Sequence, residues 1–339
     1  MAASTGTVNV TASPPKLATR TLAADAAGIA EAARTLKDGG LVAFPTETVY
    51  GLGAVASDAR AVARLYAAKE RPSFNPLIAH LAGIEAASRV GILDPVALRL
   101  AEKFWPGPLT LVVRATPDCP VCDLARAGLD SIAVRVPAHP VALALIAAAG
   151  EPVVAPSANR SGRISPTTAG HVLADLRDRI DLVLDGGPTP VGLESTILDC
   201  SGDEPRLLRP GSIAREAIEK VIEATIAVAS EAAAAPVAPG QLASHYATRA
   251  RLRLDATDVR AGEALLAFGP KRPRHAERAV KILDLSPGGD LIEAAANLFA
   301  HLHALDASGV AAIAVAKIPA HGLGEAIRDR LARAAAPRE

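Results

Sequence analysis

Basic residues gather at the ends of apolar segments in this chain, and that is where chemistry could be done. Lys69-Glu70-Arg71-Pro72 closes a helical pattern, and Asn75-Pro76 leads into an apolar run that ends at His80. Arg135 stands between Val134 and Val136, inside an otherwise apolar strand. Leu207-Leu208-Arg209-Pro210-Gly211 repeats the theme of one arginine where an apolar strand stops. Cations closing a helix can serve the helix dipole alone, for about 0.3–1 kcal/mol. Arg135 is harder to account for that way. A buried guanidinium is costly without an anion, either a structural one such as Asp185 or Glu194 or a bound one. Pro156-Ser157-Ala158-Asn159-Arg160-Ser161-Gly162 follows a buried strand and offers hydroxyl, amide and backbone donors in a tight loop, as phosphate-binding nests do. Phe44-Pro45-Thr46-Glu47-Thr48-Val49-Tyr50-Gly51-Leu52-Gly53 sets two hydroxyls and a carboxylate just past another strand end. If these ends converge, they line a cleft for a polyanion, most economically a nucleoside triphosphate.

Other patterns point elsewhere and carry less. No Walker A sequence is present. Gly51-Leu52-Gly53-Ala54-Val55-Ala56 fits a loose G-x-G-x-x-A dinucleotide pattern, but Pro45 and further residues part it from the strand end at Phe44. Cys119-Pro120-Val121-Cys122 is a lone C-x-x-C without a second pair nearby. His301 and His303 are two apart on a predicted helix, cannot share a face, and read as surface residues. No paired-acid metal site is legible, so the metal-ligand set is empty, and any magnesium would be held mainly by the triphosphate. No Ser–His–Asp spacing is evident, and no covalent nucleophile is expected.

The elements that must position these residues fall into two blocks. The chain has 339 residues, more than one typical small domain, and half of them are hydrophobic. Its 36 basic and 36 acidic residues cancel, so no global field would attract nucleic acid. No apolar run reaches membrane-spanning length. With three cysteines a reducing, cytoplasmic setting is expected. Residues 1–20 read as a disordered tail. From 21 to 225, helical patterns over Ala23–Asp38, Asp58–Lys69, Asp94–Phe104, Val141–Ala149 and Thr168–Arg177 alternate with short apolar runs. Those runs are Leu41–Phe44, Leu77–Leu81, Leu109–Arg114, Ser131–Val136, Pro152–Ala155, Asp181–Leu184 and Ser195–Cys200. Ser212 reads as the cap of a further helix. The alternation is not a strict βαβ repeat, which predicts a twisted, mixed α/β (α+β) sheet rather than a doubly wound one. Residues 226–249 read as a linker rich in alanine and proline. From 250 to 339, strands near Leu252–Leu254, Ala264–Phe268, Val280–Leu285 and Val310–Ala316 alternate with a helix opened by the capping box Asp290-x-x-Glu293 and a terminal helix. That regular order predicts a small three-layer, Rossmann-like α/β unit.

Taken together, Phe44–Gly53, Lys69–Pro72, Asn75–Leu77, Trp105–Thr110, Val134–Pro137, Ala155–Asn159 and Leu208–Gly211 resemble the YrdC-like family. With Pro239-Gly240 and His245-Tyr246 in the linker, the chain resembles the two-domain threonylcarbamoyl-AMP synthases within it. The resemblance implies a reaction of L-threonine, bicarbonate and ATP that gives threonylcarbamoyl-AMP and pyrophosphate. A downstream transferase complex would then modify the t6A adenosine of tRNAs that read ANN codons, with tRNA contact by this chain indirect or weak. By position it implies that Thr48, His80, Arg135, Ala155 and Ser195 face L-threonine. Lys69, Arg71, Asn75, Ser131, Ser157, Asn159, Ser165 and Arg209 would face ATP, with Lys69 and Arg71 in the catalytic role. It also implies a lid over Pro236–Tyr246, in which Ala243 stands where relatives carry a side chain that covers the nucleotide. An RNA-binding YrdC-like module and a carbamoyl-adenylate former of the hydrogenase-maturation type are the alternative readings.

Overall fold

The computed structural model describes residues 17–228 and 245–337, so Ala243 and most of Pro236–Tyr246 lie outside the described residues. Described strands form a large mixed sheet and a small one. Across the large sheet the order is Arg20–Ala23, Leu182–Asp185, Val42–Pro45, Tyr50–Val55, Val153–Val154, Ile78–His80, Ser131–Arg135, Leu109–Arg114, Thr196–Asp199, Arg206–Arg209 and Ala227–Val228. Parallel and antiparallel neighbours are interspersed throughout. The mixed sheet expected from the irregular alternation is the one observed.

Three strands are not legible in the sequence: Arg20–Ala23, Tyr50–Val55 and Ala227–Val228, the last pairing parallel with Arg206–Arg209 where residues 226–249 read as a linker. Thr19 and Arg20 were assigned to the tail, but Arg20 opens a strand parallel to Leu182–Asp185, and Thr19 Oγ1 donates to the Ile180 carbonyl. Tyr50–Val55 pairs antiparallel with Val42–Pro45, so the polar cluster at Phe44–Gly53 is a β-hairpin. Along it, Tyr50, Leu52 and Ala54 enter one core cluster, while Val42 and Phe44 of its partner enter another. The period-two alternation of a pleated strand sends Gly51 and Gly53 to the Phe44 side. A Cβ on Gly53 would lie 2.9 Å from the Phe44 ring and 3.0 Å from Val153. The glycines therefore make room for an aromatic ring, not for a dinucleotide. Pro45 ends its strand opposite Tyr50, where its missing N–H costs no ladder bond further in.

Helices cover both faces of the large sheet. Ala26–Lys37 and Pro140–Ala149 pack together over Val42, Phe44 and Leu182, while Ala59–Lys69 and Pro95–Phe104 bury Leu65 and Leu100 on the opposite face. Asp58 and Asp94 cap the latter two helices through their carboxylates, as their sequence context predicts. Ser212 does not cap a helix. Its hydroxyl donates to the Leu193 and Glu194 carbonyls, and the next helix, Arg215–Ile222, starts without a side-chain cap.

The small sheet is all parallel, in the order Arg251–Arg253, Ala312–Val315, Ala264–Ala267, Ile282–Asp284. Helices Leu291–Asp306 and Leu323–Ala335 cover one face through Leu298, Leu302, Ile327 and Leu331. On the other face a thin layer from Ala256, Val259, Ala276 and Ala279 packs on Leu265 and Ala314. Asp290 caps its helix directly, Oδ1 accepting from Ile292 N and Glu293 N, and only the reciprocal half of the capping box is relayed. Glu293 accepts from the Ser286 hydroxyl, and Ser286 Oγ in turn accepts from Asp290 N.

The core over the small sheet does not stop at its own residues: Val49, Ile164 and Leu193 belong to the same buried cluster as Phe299 and Leu302. Gly192, at a φ of +67°, lies so close to the Leu291–Asp306 helix that a Cβ would meet the Ala296 carbonyl oxygen at 2.3 Å. His303 is not a surface residue. It stacks on His171 with ring centroids 3.9 Å apart and donates from Nε2 to the Ser165 carbonyl.

Candidate active site

The strand ends do converge. Thr46, Thr48, Gly51, Arg71, His80, Arg135, Ala155, Ser157, Glu194, Ser195, Arg209, His245 and Tyr246 line one cleft.

On one side the hairpin turn holds Arg135. Arg135 Nη2 donates to Glu47 Oε1 at 2.6 Å and to Thr48 Oγ1 at 3.1 Å, and Nε reaches the Gly107 carbonyl at 3.3 Å. The anion is thus Glu47, not Asp185 or Glu194. Thr48 Oγ1 also meets Thr46 Oγ1 at 2.8 Å, and Thr46 donates to the Val49 carbonyl, which closes the turn. The parallel register sets His80 beside Arg135. His80 Nδ1 lies 3.1 Å from the Ile78 carbonyl; a carbonyl only accepts, so Nδ1 carries the hydrogen and Nε2 keeps its lone pair. Burial and the neighbouring Arg135 push the His80 imidazolium down to about 3, so the ring is neutral at neutral pH. Ala155 is buried beside Gly51 and adds only a methyl to the wall.

On the other side the cations are held by carbonyls. Arg71 is fixed by the carbonyls of Asn75 and Pro76 at 3.3 and 3.1 Å. Arg209 donates from Nε and Nη2 to the Ser195 carbonyl, and from Nη2 to Ser195 Oγ at 3.1 Å, while Ser195 Oγ also meets Thr110 Oγ1 at 2.8 Å. Burial lowers both guanidinium groups, Arg71 to about 10, which still leaves it charged at neutral pH. His245 is likewise pushed down to about 3 by burial.

Several expected residues stand behind the wall rather than on it. Lys69 is fully buried, and its Nζ donates to the carbonyls of Ser157 and Asn159, tying down the Pro156–Gly162 loop. Burial, with Arg71 near it, lowers its ammonium well below the usual range. Asn159 braces the same loop through the Arg160 and Arg163 carbonyls. Asn75 is fully buried, and both polar atoms of its amide lack a partner among the described residues. Ser165 donates to Glu194 Oε1 at 2.5 Å. Ser131 is not brought to the cleft: it lies at the far end of the Arg135 strand, about 13 Å away at the usual rise per residue, paired with Arg114.

Residues 34–211 match the family described as Telomere recombination, and residues 213–336 match the threonylcarbamoyl-AMP synthase C-terminal domain. Threonylcarbamoyl-AMP synthase of Bacillus subtilis is 41% identical over 91% of this chain and 93% of its own length. That of Pyrococcus abyssi is 41% identical over 89% and 92%. The chain belongs to the threonylcarbamoyl-AMP synthase family. The crystal structure of P. abyssi Sua5 complexed with L-threonine superposes with a TM-score of 0.83, at 37% identity, covering 94% of this chain and 97% of that one. This is a family of enzymes of the nucleotidyl-transferring kind.

Sequence reasoning left Glu47 unassigned and did not find Arg330. Glu47 had a signal, being the one carboxylate in a hydroxyl-rich turn. Arg330 had none: it is one arginine among several on a mixed helix. Among the described residues no helix is long and apolar enough to cross a membrane.

Proposed function

We propose that this chain condenses L-threonine, bicarbonate and ATP into threonylcarbamoyl-AMP and pyrophosphate. The observation that carries the reading is the pairing, on one buried cleft, of a carboxylate-matched arginine, Arg135, with carbonyl-held arginines, Arg71 and Arg209. Arg135, oriented by Glu47 and Thr48, takes the threonine carboxylate. Thr48 and Ser195 complete that side with hydroxyls, Ala155 limits its size, and His80 offers the Nε2 lone pair to a substrate N–H or O–H. Arg71 and Arg209 face the triphosphate together with Ser157. Lys69, Asn75, Asn159 and Ser165 support that half from behind.

The threonine amine joins bicarbonate with loss of water to give a carbamate. A carbamate oxygen then attacks the α-phosphorus, the bond to the bridging oxygen of the β-phosphate breaks, and pyrophosphate leaves with the electron pair. Carbamate is a weak, short-lived nucleophile, so holding it against the phosphorus supplies much of the acceleration. Guanidinium groups already fixed in a dry cleft stabilise the charge that grows on the phosphates without reorganising. Among the described residues no His, Cys, Asp or Glu cluster could hold a metal ion. Glu47 and Glu194 are engaged by Arg135 and Arg330. This donor set does not fit a resident metal, and magnesium enters as the ATP complex. The product passes to a transferase acting on tRNA, and the balanced net charge favours no strong tRNA contact here.

The test is pyrophosphate release from ATP with bicarbonate and each amino acid in turn. Release that depends on both L-threonine and bicarbonate is expected. Release indifferent to either overturns the proposal.

A further inference from the structure

Glu194 sets a problem that the large sheet does not solve. It lines the cleft between Ser195 and the Leu193 turn, beside the groups assigned to phosphate, where an uncompensated carboxylate would repel a triphosphate. Ser165 supplies one hydrogen bond to Oε1 but no charge. The charge comes from a residue more than a hundred positions away. Arg330, on the Leu323–Ala335 helix, is fully buried and donates from Nε to Glu194 Oε2 at 2.8 Å. Its Nη2 donates to the Pro210 carbonyl at 2.9 Å, next to Arg209, and Nη1 meets Asp329 at 2.5 Å. The guanidinium also lies 5.3 Å from the centre of the Tyr246 ring, another lining residue. One side chain thus touches three separate segments of the cleft wall.

We propose that Arg330 is a positioning residue for the nucleotide half of the site: it neutralises Glu194 and holds the Pro210 carbonyl, so that the wall meeting ATP keeps net positive charge. This rests on the reading of the cleft as a nucleotide and threonine site. Burial raises the carboxyl of Glu194, but Arg330 and then Arg209 outweigh it, so the group stays ionised and its charge has to be met. Removing one partner of a buried pair leaves the other charge stranded, whereas removing both need not. This gives the inference its test. It also assigns the small sheet and its helices a task in the reaction, since they deliver Arg330.

The experiment measures KM for ATP, KM for L-threonine and kcat on full-length protein carrying Arg330→Met, Glu194→Gln, or both, with circular dichroism as a fold check. In Arg330→Met, KM for ATP should rise at least tenfold while KM for threonine moves less than threefold. Adding Glu194→Gln should recover most of that loss, because the stranded charge is gone. Glu194→Gln alone, which keeps an acceptor for Arg330, should leave KM for ATP at or below the native value. If Arg330→Met does not fold, the Glu194→Gln variant and the double variant still decide the matter. The inference is overturned if KM for ATP is native in Arg330→Met, if the double variant is no better than a folded Arg330→Met, or if Glu194→Gln raises KM for ATP. Failure of the underlying reading looks different: the native protein itself would then release no threonine- and bicarbonate-dependent pyrophosphate.

Discussion

The two halves of the cleft hold their cations by opposite means. Arg135 is matched by a full negative charge, Glu47, in a pair whose side chains are both almost entirely buried. Arg71 is held by neutral carbonyls, and so is Lys69 behind the wall. Carbonyl dipoles orient a cation without cancelling it, so that half keeps its charge for a polyanion. A carboxylate cancels most of the field but fixes the fork, which suits recognition of one small carboxylate by geometry. The difference separates a half built for charge from a half built for shape.

Replacing a cation on the charged half should do the most damage. Arg71→Ala is expected to lower the rate by at least about 100-fold, by analogy with the loss of one preorganised donor, and Lys69→Ala to lower it by loosening the loop that its Nζ ties down. Near-native rates in both, read with saturating threonine, would break the comparison. On the shape half the effect should appear first in stability. Glu47→Ala strands Arg135 and should cost about 3–5 kcal/mol in denaturant unfolding, whereas Glu47→Gln, which keeps the acceptor, should cost less. Equal losses in the two variants would mean that the charge of Glu47 is irrelevant.

The last effect is absent at neutral pH and appears only in acid. His80 and His245 have folded pKa values near 3, against about 6.5 in the unfolded chain. Between those values the unfolded state binds more protons, so stability falls as pH drops from about 6.5 toward 3. Each ring contributes up to about 1.4 kcal/mol per pH unit in that window. His80→Asn should flatten the acid limb of a melting-temperature profile and leave it unchanged above pH 7. An unaltered acid limb would show that the ring is not held neutral.

Much of this was legible where the physics is local. Asp58 and Asp94 cap their helices because a short carboxylate before a helical run meets free N–H groups, whatever the rest of the chain does. The arginines at strand ends were legible because a charge inside an apolar run demands an explanation. What escaped depends on distant partners. The strand at Arg20 exists because Leu182–Asp185 offers it an edge. Tyr50–Val55 was hidden by its glycines, which read as a loop until the Phe44 ring they accommodate is seen. Ser131 was placed by family position; the pleat sets it on the same face as Arg135, but the rise along the strand parts it from the cleft. His303 and Arg330 were misread or missed because each is defined by contacts between the two sheets, and Ser212 because its hydroxyl turns back to the Leu193 and Glu194 carbonyls.

Gly192 bears on how such a protein can change over evolutionary time. Its lack of a side chain lets one backbone rest directly on another at Ala296, with Val49, Ile164 and Leu193 sealed beneath the same helices. Units joined by a flexible tether can be exchanged like beads on a string. These cannot: a foreign partner would have to reproduce both the seat at Gly192 and the countercharge for Glu194. A chain without the small sheet would need another countercharge for Glu194, or another residue in its place.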